Sequence, residues 1–477
     1  MTIETDTVST PPDLVTVGHA LRGLLGDRVV LPGDERYDEV RVPWNFAVDQ
    51  RPAAVAVPRS AAEVATVVRV AAENGLRVAA QSTGHNAGPL AAQGARRRRR
   101  RAYVGPRPGG RRPRPRHRPR RGRCPLGGRR HGRRRRRARG PARLLPDVGV
   151  AGYSLGGGIG WYARKLGLAT NSLTAVELVV ADGTLVRADA DHNAELFWAL
   201  RGGGGNFGVV TALELRSFDI PTAYAGFLLW DAAQAEPVLR TWAAWAPDAP
   251  DEITTAFRVM RLPDLPDLPD FLRGRAVVVV DGAVLGSAER GSELLADLRA
   301  LRPEIDTFAT VPAASLVRLH MDPEGGAPVT SDSRVLDALP DAAIDAFLAQ
   351  VGPGADTPLA IAELRQLGGA LGRPHDGGGV LSHLEGRFLW FGGAMALTPE
   401  MAAEGHRAAA AVSGALATCS SGRQYLNFAE NPVDTRTAYR PEAWRQLVGV
   451  RSAVDPHGLF VANHRVPRLY EDGGPTT

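Results

Sequence analysis

The stretch LRVAAQSTGHN, residues 76–86, joins a short apolar run to a polar loop that contains glycine. Residues 76–80 predict a β-strand, since the run is short, mostly apolar and bounded by turn-forming residues. Residues 53–57 (AAVAV) predict another strand, with a helix between the two. The order strand, helix, strand, loop is typical of a layered α and β domain whose loops lie at the strand ends.

The predicted helix has a start signal and a stop signal. Ser60 is a candidate N-cap, and Glu63 stands three residues later, as in a capping box. Asn74 and Gly75 follow the last apolar residue and form a typical C-terminal signal. We therefore expect a helix that begins after Ser60 and ends at Asn74.

Composition places the chain among globular proteins. Its 477 residues suffice for two or three domains, and apolar residues make up 44% and charged residues 23%. We expect no membrane segment, because no run of eighteen apolar residues occurs and the N-terminus is polar and acidic. Cys124 and Cys419 cannot form a disulfide framework, so a reducing, cytoplasmic location is expected.

Residues 96–143 have a composition of their own, with 24 arginines and no Asp, Glu or Lys. Removing these 24 charges from the net charge of +7 leaves −17, so the rest of the chain is acidic. The segment is rich in Pro and Gly and nearly devoid of apolar residues, and its charges repel one another. Such a segment is expected to be disordered.

Three explanations compete for this Arg-rich segment. It is a nucleic-acid-binding arm, a disordered insertion, or the out-of-frame translation of GC-rich coding DNA. We favour the third, because the segment interrupts a domain whose pattern is ordinary up to Gly94 and resumes near Pro146. Tyr103 is its only aromatic residue, so base stacking is poorly served, which argues against a nucleic-acid partner.

Two kinds of loop are candidate ligand sites. In the 81–86 loop, small residues allow backbone N–H groups to converge on an anion such as a pyrophosphate. His85 in this loop is a solvated loop residue, a nucleophile or a metal ligand. The absence of a second His or Cys at ligand spacing argues against a metal. Glycines at 149–160 and 201–208 permit a flat group to lie against the backbone, or form tight structural turns.

Five blocks in sequence order resemble the FAD-linked oxidases of the vanillyl-alcohol oxidase and p-cresol methylhydroxylase superfamily, whose FAD-binding domain is of the PCMH type. The similarity is to the berberine-bridge-enzyme-like group. The blocks are RPAAVAVP (51–58), STGHN (82–86), VGVAGYSLGGGIG (148–160), LFWALRGGGGNFGVVT (196–211) and YLN (425–427). The tail DPHGLFVAN (455–463) fits as well, whereas the middle of the chain matches only loosely.

The resemblance implies an α+β fold in three parts. Residues 1–216 would form an FAD-binding domain, made of an N-terminal and a central segment. Residues 217–415 would form an α+β substrate-binding domain with an antiparallel sheet. Residues 416–477 would be a berberine-bridge-like segment that returns to the FAD domain.

The resemblance also implies that His85 is joined covalently to the 8α-methyl group of FAD. Many relatives have a cysteine before the next block, but Leu145 stands here, so a single link is expected. Cys124 lies in the Arg-rich segment and is not assigned that role. The implied cofactor-binding residues are Ser82, Thr83, Gly84, His85, Asn86, Gly149, Val150, Gly152, Gly156, Gly157, Gly160, Gly208, Val210 and Asn463.

Tyr425 and Asn427 alternate on a strand-like segment, so their side chains are expected on the same side. The resemblance makes Tyr425 the candidate base that takes a substrate proton while hydride moves to the flavin, with Asn427 beside it. The ordinary tyrosine pKa of about 10 would then need lowering by a cation or hydrogen bonds. The alternative is a core tyrosine next to a core-facing asparagine.

The implied activity is oxidation of a carbohydrate, an alcohol or a secondary metabolite by FAD, with dioxygen as the electron acceptor. The alternatives are a nucleic-acid-binding protein that uses residues 96–143 and an inactive remnant of the flavoenzyme fold. Members of the family have strands and a helix where residues 96–143 stand. If the segment is real, we expect this half-domain to lack an apolar core and to incorporate flavin weakly.

Overall fold

The computed structural model describes residues 14–96, 101–104, 147–266, 268–321, 325–469 and 471. Cys124 and Leu145 lie outside these residues, so the expectation of a single covalent link stays a prediction. The described helices are α1 (Leu14–Leu25), α2 (Tyr37–Arg41), α3 (Ala61–Glu73), α4 (Gly88–Arg96), α5 (Val150–Leu155), α6 (Ala163–Leu166), α7 (Ala194–Gly203), α8 (Ala235–Trp245), α9 (Ala288–Leu294), α10 (Ala296–Ala300), α11 (Asp341–Val351), α12 (Pro399–Ala415) and α13 (Pro441–Val454).

Fifteen strands among the described residues form three sheets. The strands are β1 (Val29–Val30), β2 (Ala54–Ala56), β3 (Arg77–Ala80), β4 (Arg101–Val104), β5 (Leu173–Val179), β6 (Leu185–Asp189), β7 (Val209–Leu215), β8 (Thr222–Asp231), β9 (Ile253–Arg261), β10 (Ala276–Val284), β11 (Ile305–Asp306), β12 (Ala309–Pro312), β13 (Val329–Leu336), β14 (Leu359–Gln366) and β15 (Phe388–Met395).

The first sheet has the strand order β1-β2-β4-β3, in which β4 pairs in parallel with both β2 and β3. Strand β4 lies inside the Arg-rich segment, and α4 ends at its first residue, Arg96. The expectation that the whole of residues 96–143 lacks secondary structure is therefore wrong at its start. The central position of β4 supplies the reason, because both of its edges find backbone partners there.

Helix α3 follows its sequence signals closely. The Ser60 hydroxyl accepts a hydrogen bond from the Glu63 N–H at 3.2 Å. The Glu63 carboxylate accepts from the Arg59 N–H at 2.7 Å, one residue earlier than in the usual capping box. Val64, Val67 and Val68 are buried along one face of the helix, at the spacing of an amphipathic helix.

The first sheet and α3 share an apolar core. Val67 and Val68 of α3 pack with Val78 of β3, and all three side chains are fully buried. Leu21 of α1 and Phe460 of the C-terminal segment belong to the same cluster. The expectation of a half-domain without an apolar core is therefore wrong for the described residues, because neighbouring segments supply the side chains.

The C-terminal segment attaches to the first sheet through backbone hydrogen bonds. The Val78 N–H donates to the Leu459 carbonyl, and the Val461 N–H donates to the Val78 carbonyl, both at 2.8 Å. The buried Asp455 carboxylate accepts from the Leu459 N–H at 2.7 Å and lies 2.7 Å from the Arg451 guanidinium. Residues after α13 thus form one wall beside β3 and the loop that follows it.

The second sheet is antiparallel with the order β6-β5-β7, and α7 and α13 pack beside it. The third sheet has eight antiparallel strands in the order β11-β8-β10-β9-β14-β15-β13, with β12 paired to β8. One face of this large sheet packs against α8, α11 and α12, where Trp242, Phe347 and Trp390 are fully buried. The α+β fold with an antiparallel sheet is confirmed. None of the described helices is long and apolar enough to cross a membrane.

Replacement of the α3 N-cap tests the local account of this helix. We expect Ser60→Ala to lower the free energy of unfolding by about 1 kcal/mol, because the Glu63 N–H loses its acceptor. Urea denaturation followed by circular dichroism measures the change. Ser292→Ala is a control at an exposed helical serine that is not a cap. Equal stability of Ser60→Ala and the unaltered protein would contradict the capping role.

Candidate active site

A cavity of about 1340 Å³ lies between the two small sheets and the large sheet. Small-molecule pockets usually measure roughly 300–1,000 Å³, so this cavity has room for more than one small molecule. Its walls come from the 81–86 loop, the glycine-rich segments, strands β9, β14 and β15, and the segments near 425–430 and 461–464. Segments that are distant in sequence therefore come together at this cavity.

His85 stands on the cavity wall at the end of the loop after β3. Its imidazole stacks on the Trp44 indole, with ring centroids 4.2 Å apart and an angle of 16° between the planes. The Thr83 hydroxyl oxygen lies 2.8 Å from His85 Nδ1. His85 Nε2 is buried and has no hydrogen-bond partner among the described residues.

Asp147 lies at the Nε2 edge of the same imidazole. Its Oδ1 lies 3.7 Å from His85 Nε2, a distance for charge attraction rather than for a direct hydrogen bond. The Trp44 indole N–H donates to Asp147 Oδ2 at 2.7 Å. Burial raises the pKa of the Asp147 carboxyl, but the His85 imidazole and the Trp44 N–H lower it more, to about 2. Asp147 is therefore a carboxylate at neutral pH.

The loop that carries His85 depends on one glycine. Gly84 has a φ of +86°, a conformation that other residues rarely adopt, and an added Cβ would lie 2.6 Å from Pro43 Cβ. The Trp44 N–H donates to the Thr83 carbonyl at 2.8 Å. The loop and the segment at Pro43 and Trp44 are thus packed backbone to backbone, which fixes the direction of the imidazole.

Three cavity glycines leave open space where a side chain would stand. An added Cβ at Gly152, Gly204 or Gly205 would have no described atom within 4 Å, and all three residues line the cavity. The wall at these positions is exposed backbone. Such a wall suits a flat ring system that lies against peptide groups.

Tyr425 is fully buried at the cavity, and its phenol oxygen is held by two donors. The Gly158 N–H donates to it at 2.7 Å, and the Asn427 side-chain amide donates at 3.3 Å. Burial raises the pKa of Tyr425 to about 12 although these hydrogen bonds lower it. The lowered pKa that a base would need is therefore not found, because desolvation of the phenolate outweighs the donors.

The segment around Tyr425 is a turn, not a strand. Residues 426–428 form the turn, and the Phe428 N–H donates to the Tyr425 carbonyl at 3.0 Å. The strand-like interpretation is wrong because the pattern of three residues is too short to fix a period. The expected same-side arrangement nevertheless holds, since the Asn427 amide contacts the Tyr425 oxygen and also donates to the Tyr153 carbonyl at 3.0 Å.

Most of the residues implied by the resemblance line one cavity, and three do not. Those on the wall are Ser82, Thr83, Gly84, His85, Asn86, Gly149, Gly152, Gly156, Gly208, Val210, Tyr425, Asn427 and Asn463. Val150 instead packs into the apolar cluster of the second sheet. Gly157 lies beneath the Tyr425 ring, and the Gly160 carbonyl accepts from the Ala163 N–H before α6.

The large sheet turns a charged face to the cavity, which the sequence analysis missed. The Arg258 guanidinium and the His320 Nδ1 lie 2.5 and 2.8 Å from Asp281 Oδ2. Arg365 lies 2.9 Å from His320 Nε2 and pairs with Glu363 at 2.5 Å. All five side chains are buried. A charged residue inside each of the apolar runs of β9 and β10 was the available signal.

Other cavity residues also escaped the sequence analysis. Burial raises the pKa of Glu430, whose Oε2 accepts from the Ser331 hydroxyl at 2.6 Å. Burial lowers the pKa of His464 to about 4, and its Nε2 lies 3.4 Å from the Asn86 amide nitrogen. No local sequence pattern marked Trp44 or Asp147 as residues of the site. Among the described residues no cluster of His, Cys, Asp or Glu could hold a metal ion.

Sequence comparison finds similarity to FAD-linked oxidases over parts of the chain. (R)-6-hydroxynicotine oxidase of Paenarthrobacter nicotinovorans is 31% identical, over 44% of this chain and 45% of that protein. Glucooligosaccharide oxidase of Sarocladium strictum is 31% identical, over 42% of this chain and 41% of that protein. An FAD-dependent monooxygenase of Penicillium roqueforti is 40% identical over 20% of this chain and 19% of its own. The matched part thus spans less than half of each relative. No family model matches the chain.

Structural comparison extends the similarity to nearly the whole chain. The BBE-like 1 protein of Physcomitrella patens superposes with a TM-score of 0.74 at 20% identity, over 96% of this chain and 99% of that one. A chitooligosaccharide oxidase superposes with a TM-score of 0.75 at 21% identity, over 95% and 99%. The resemblance is therefore confirmed: this chain has the fold of the berberine-bridge-enzyme-like FAD-linked oxidases and is similar to such oxidases in sequence.

Proposed function

We propose that this chain is an FAD-dependent oxidoreductase that holds its flavin covalently through His85. The observation that carries the proposal is an imidazole on the wall of a cavity that includes exposed glycine backbone, where Trp44 stacks on the ring, Asp147 faces Nε2 and the Thr83 hydroxyl lies beside Nδ1. The substrate would be a small organic molecule, namely a carbohydrate, an alcohol or a secondary metabolite. The similarity to 6-hydroxynicotine oxidase and glucooligosaccharide oxidase supports an oxidation reaction.

The residues present fit a bound FAD. Gly152, Gly204 and Gly205 leave room against the backbone for the ring system. The cavity volume of about 1340 Å³ accommodates the cofactor together with a substrate. When bound, FAD supplies a ring that accepts hydride from the substrate and passes electrons on, and we propose dioxygen as the acceptor.

Asp147 and Thr83 would prepare the imidazole for attachment. The Asp147 carboxylate faces Nε2 and favours a proton there, whereas the Thr83 hydroxyl can donate to Nδ1. Nδ1 then keeps its lone pair and is the nucleophilic nitrogen. Stacking on Trp44 holds the ring in this orientation. The Asp147 carboxylate at Nε2 would thus leave Nδ1 free to act as the nucleophile.

Tyr425 would hold and move the substrate proton. Its oxygen is fixed by the Gly158 N–H and the Asn427 amide, so it presents one direction to the cavity. Because its pKa is about 12, the phenolate is scarce at neutral pH. The Arg365 cation also lowers this pKa, and the base would be the small phenolate fraction, whose oxygen the two donors hold in position.

The remaining expectations stay predictions. A cytoplasmic location agrees with the small number of cysteines. The nucleic-acid alternative depends on residues 96–143, most of which lie outside the described residues. The inactive-remnant alternative predicts a protein that carries no flavin.

Loss of the attachment residue tests the proposal directly. We expect the purified protein to be yellow, to stay yellow after acid precipitation, and to carry the mass of FAD on the peptide that contains His85. His85→Ala should release the flavin on acid precipitation, because no imidazole forms the bond. His192→Ala is the control at an exposed histidine. A colourless protein grown with ample flavin, or covalent FAD in His85→Ala, would refute the assignment.

Removal of the carboxylate tests its role in attachment. We expect Asp147→Asn to slow covalent attachment about tenfold, or about 1.4 kcal/mol, because the neutral amide no longer attracts a proton to His85 Nε2. The measurement is the covalent fraction by mass spectrometry after apoprotein is mixed with FAD in air. Asp219→Asn is an exposed control. Equal attachment rates in the two variants would contradict a role for Asp147.

The phenol of Tyr425 is tested by rate and pH. We expect Tyr425→Phe to keep covalent flavin and to reduce kcat by roughly 10²–10⁴. With the pKa of Tyr425 at about 12, the phenolate fraction of the unaltered enzyme increases about tenfold per pH unit below that value. The rate of anaerobic flavin reduction should therefore rise with pH. Tyr224→Phe, outside the cavity, is the control; a pH profile unchanged in Tyr425→Phe would rule out this base.

A further inference from the structure

The register of the large sheet orders its cavity face into zones. Met260 of β9 pairs with Ile361 of β14, and Ile361 pairs with Gly393 of β15, at one end of these strands. Two residues further along, Arg258 pairs with Glu363, and Glu363 pairs with Phe391. Because side chains two residues apart share a face, these rows lie on the same cavity-facing side.

The inner zone is polar and charge-balanced. Glu363, Arg365 and His320 line the cavity and are buried. Arg365 is paired with Glu363, and Arg258 is paired with Asp281. Each guanidinium thus has a carboxylate partner, so this zone offers hydrogen bonds rather than an uncompensated charge.

The inner zone adjoins Tyr425. The Arg365 guanidinium lies 5.1 Å from the centre of the Phe428 ring, and that ring lies 5.6 Å from the Tyr425 ring. Arg365 Nη1 is buried and has no hydrogen-bond partner among the described residues. Phe428 thus lies between the inner zone and Tyr425, and all three line the same cavity.

The outer zone is aliphatic and open to solvent. Leu265, Met321 and Leu397 line the cavity with 53%, 55% and 68% of their surface exposed. Met260 and Met395 also line the cavity. Isolated exposed leucines are common, but a contiguous apolar wall on a cavity marks a ligand surface.

Among the described residues, the strand alternation directs the charged side chain of β9 next to this outer zone away from the cavity. Arg261 follows Met260 on β9, yet its guanidinium donates to the carbonyls of Val351 and Gly352 at 3.1 Å, at the end of α11. The side chain thus turns away to the helix-covered side of the sheet. The aliphatic side chains are therefore left to face the cavity.

We propose that the substrate is an amphiphile, with a hydroxylated carbon at Tyr425 and an apolar tail along the outer zone. The five residues of β14 from Arg365 to Ile361 span about 13 Å, so the tail must cross about this distance to reach the outer zone. An oligosaccharide would place hydroxyls against aliphatic side chains that offer no hydrogen bonds, at a cost. The reaction at the hydroxylated carbon rests on the proposed function, whereas the binding of the tail does not.

A series of straight-chain alcohols tests the proposal by calorimetry on the full chain. We expect the dissociation constant to fall roughly threefold to fourfold with each CH₂ from 1-octanol to 1-dodecanol, as apolar surface is buried. We expect 1,12-dodecanediol to bind about tenfold more weakly than 1-dodecanol, because its second hydroxyl meets the aliphatic wall. Xylotriose should bind more weakly than 1-dodecanol.

Variants in the outer zone test where the tail binds. The double variant Leu265→Gln, Leu397→Gln should reduce the dependence on chain length, and both residues are exposed, so folding is not at risk. Leu24→Gln is the control, at a leucine of α1 that is 60% exposed and outside the cavity lining. Equal affinity along the series, tighter binding of xylotriose, or an unchanged slope in the double variant would overturn the proposal.

These measurements test the covalent flavin and the apolar tail site independently of each other. Calorimetry reports binding whether or not flavin is attached, and mass spectrometry reports the flavin alone. A flavin-free protein with a steep series that depends on the outer zone would refute the proposed function and support the apolar tail site. A flavin-loaded protein with a flat series would refute only the substrate class.

Discussion

The close approach of Tyr425 to the backbone of the glycine-rich segment is the contact on which the cavity depends. The Gly158 N–H reaches the phenol oxygen at 2.7 Å across 267 residues of sequence. Gly157 has a φ of +125°, and an added Cβ would lie 2.9 Å from the Tyr425 ring. Only glycine satisfies both conditions, so the glycines serve the approach of the C-terminal turn as well as the cofactor wall.

The large sheet gives the cavity its second wall by having two unlike faces. One face buries Trp242, Phe257 and Trp390 against helices, as in any α+β layer. The other carries paired charges such as Arg365 and Glu363 on the cavity wall, which are costly to bury and are kept only where each has a partner. A sheet that served packing alone would do better with apolar residues there. The polar face is therefore a property of the site rather than of the fold.

His85 acquires its chemistry from distant neighbours. Trp44 stacks on its ring, and Asp147 faces its Nε2 from a segment more than sixty residues further on. Only Thr83 is a neighbour in sequence. The residue type and the loop position of His85 allow a nucleophile, but the groups that set the orientation of its ring come from tertiary packing.

Local patterns in the sequence determined much of this protein. Periodicity and capping signals predicted α3 and β3, because these signals act between residues close in sequence. The thirteen predicted residues on the cavity wall were implied by the resemblance to a known family, not by a local pattern. Tertiary structure alone decided that β4 pairs within an Arg-rich segment, that residues 426–428 form a turn, and that Tyr425 has a raised pKa. Pairing partners, turn geometry and desolvation depend on what the rest of the chain places around a residue, and no local pattern records that.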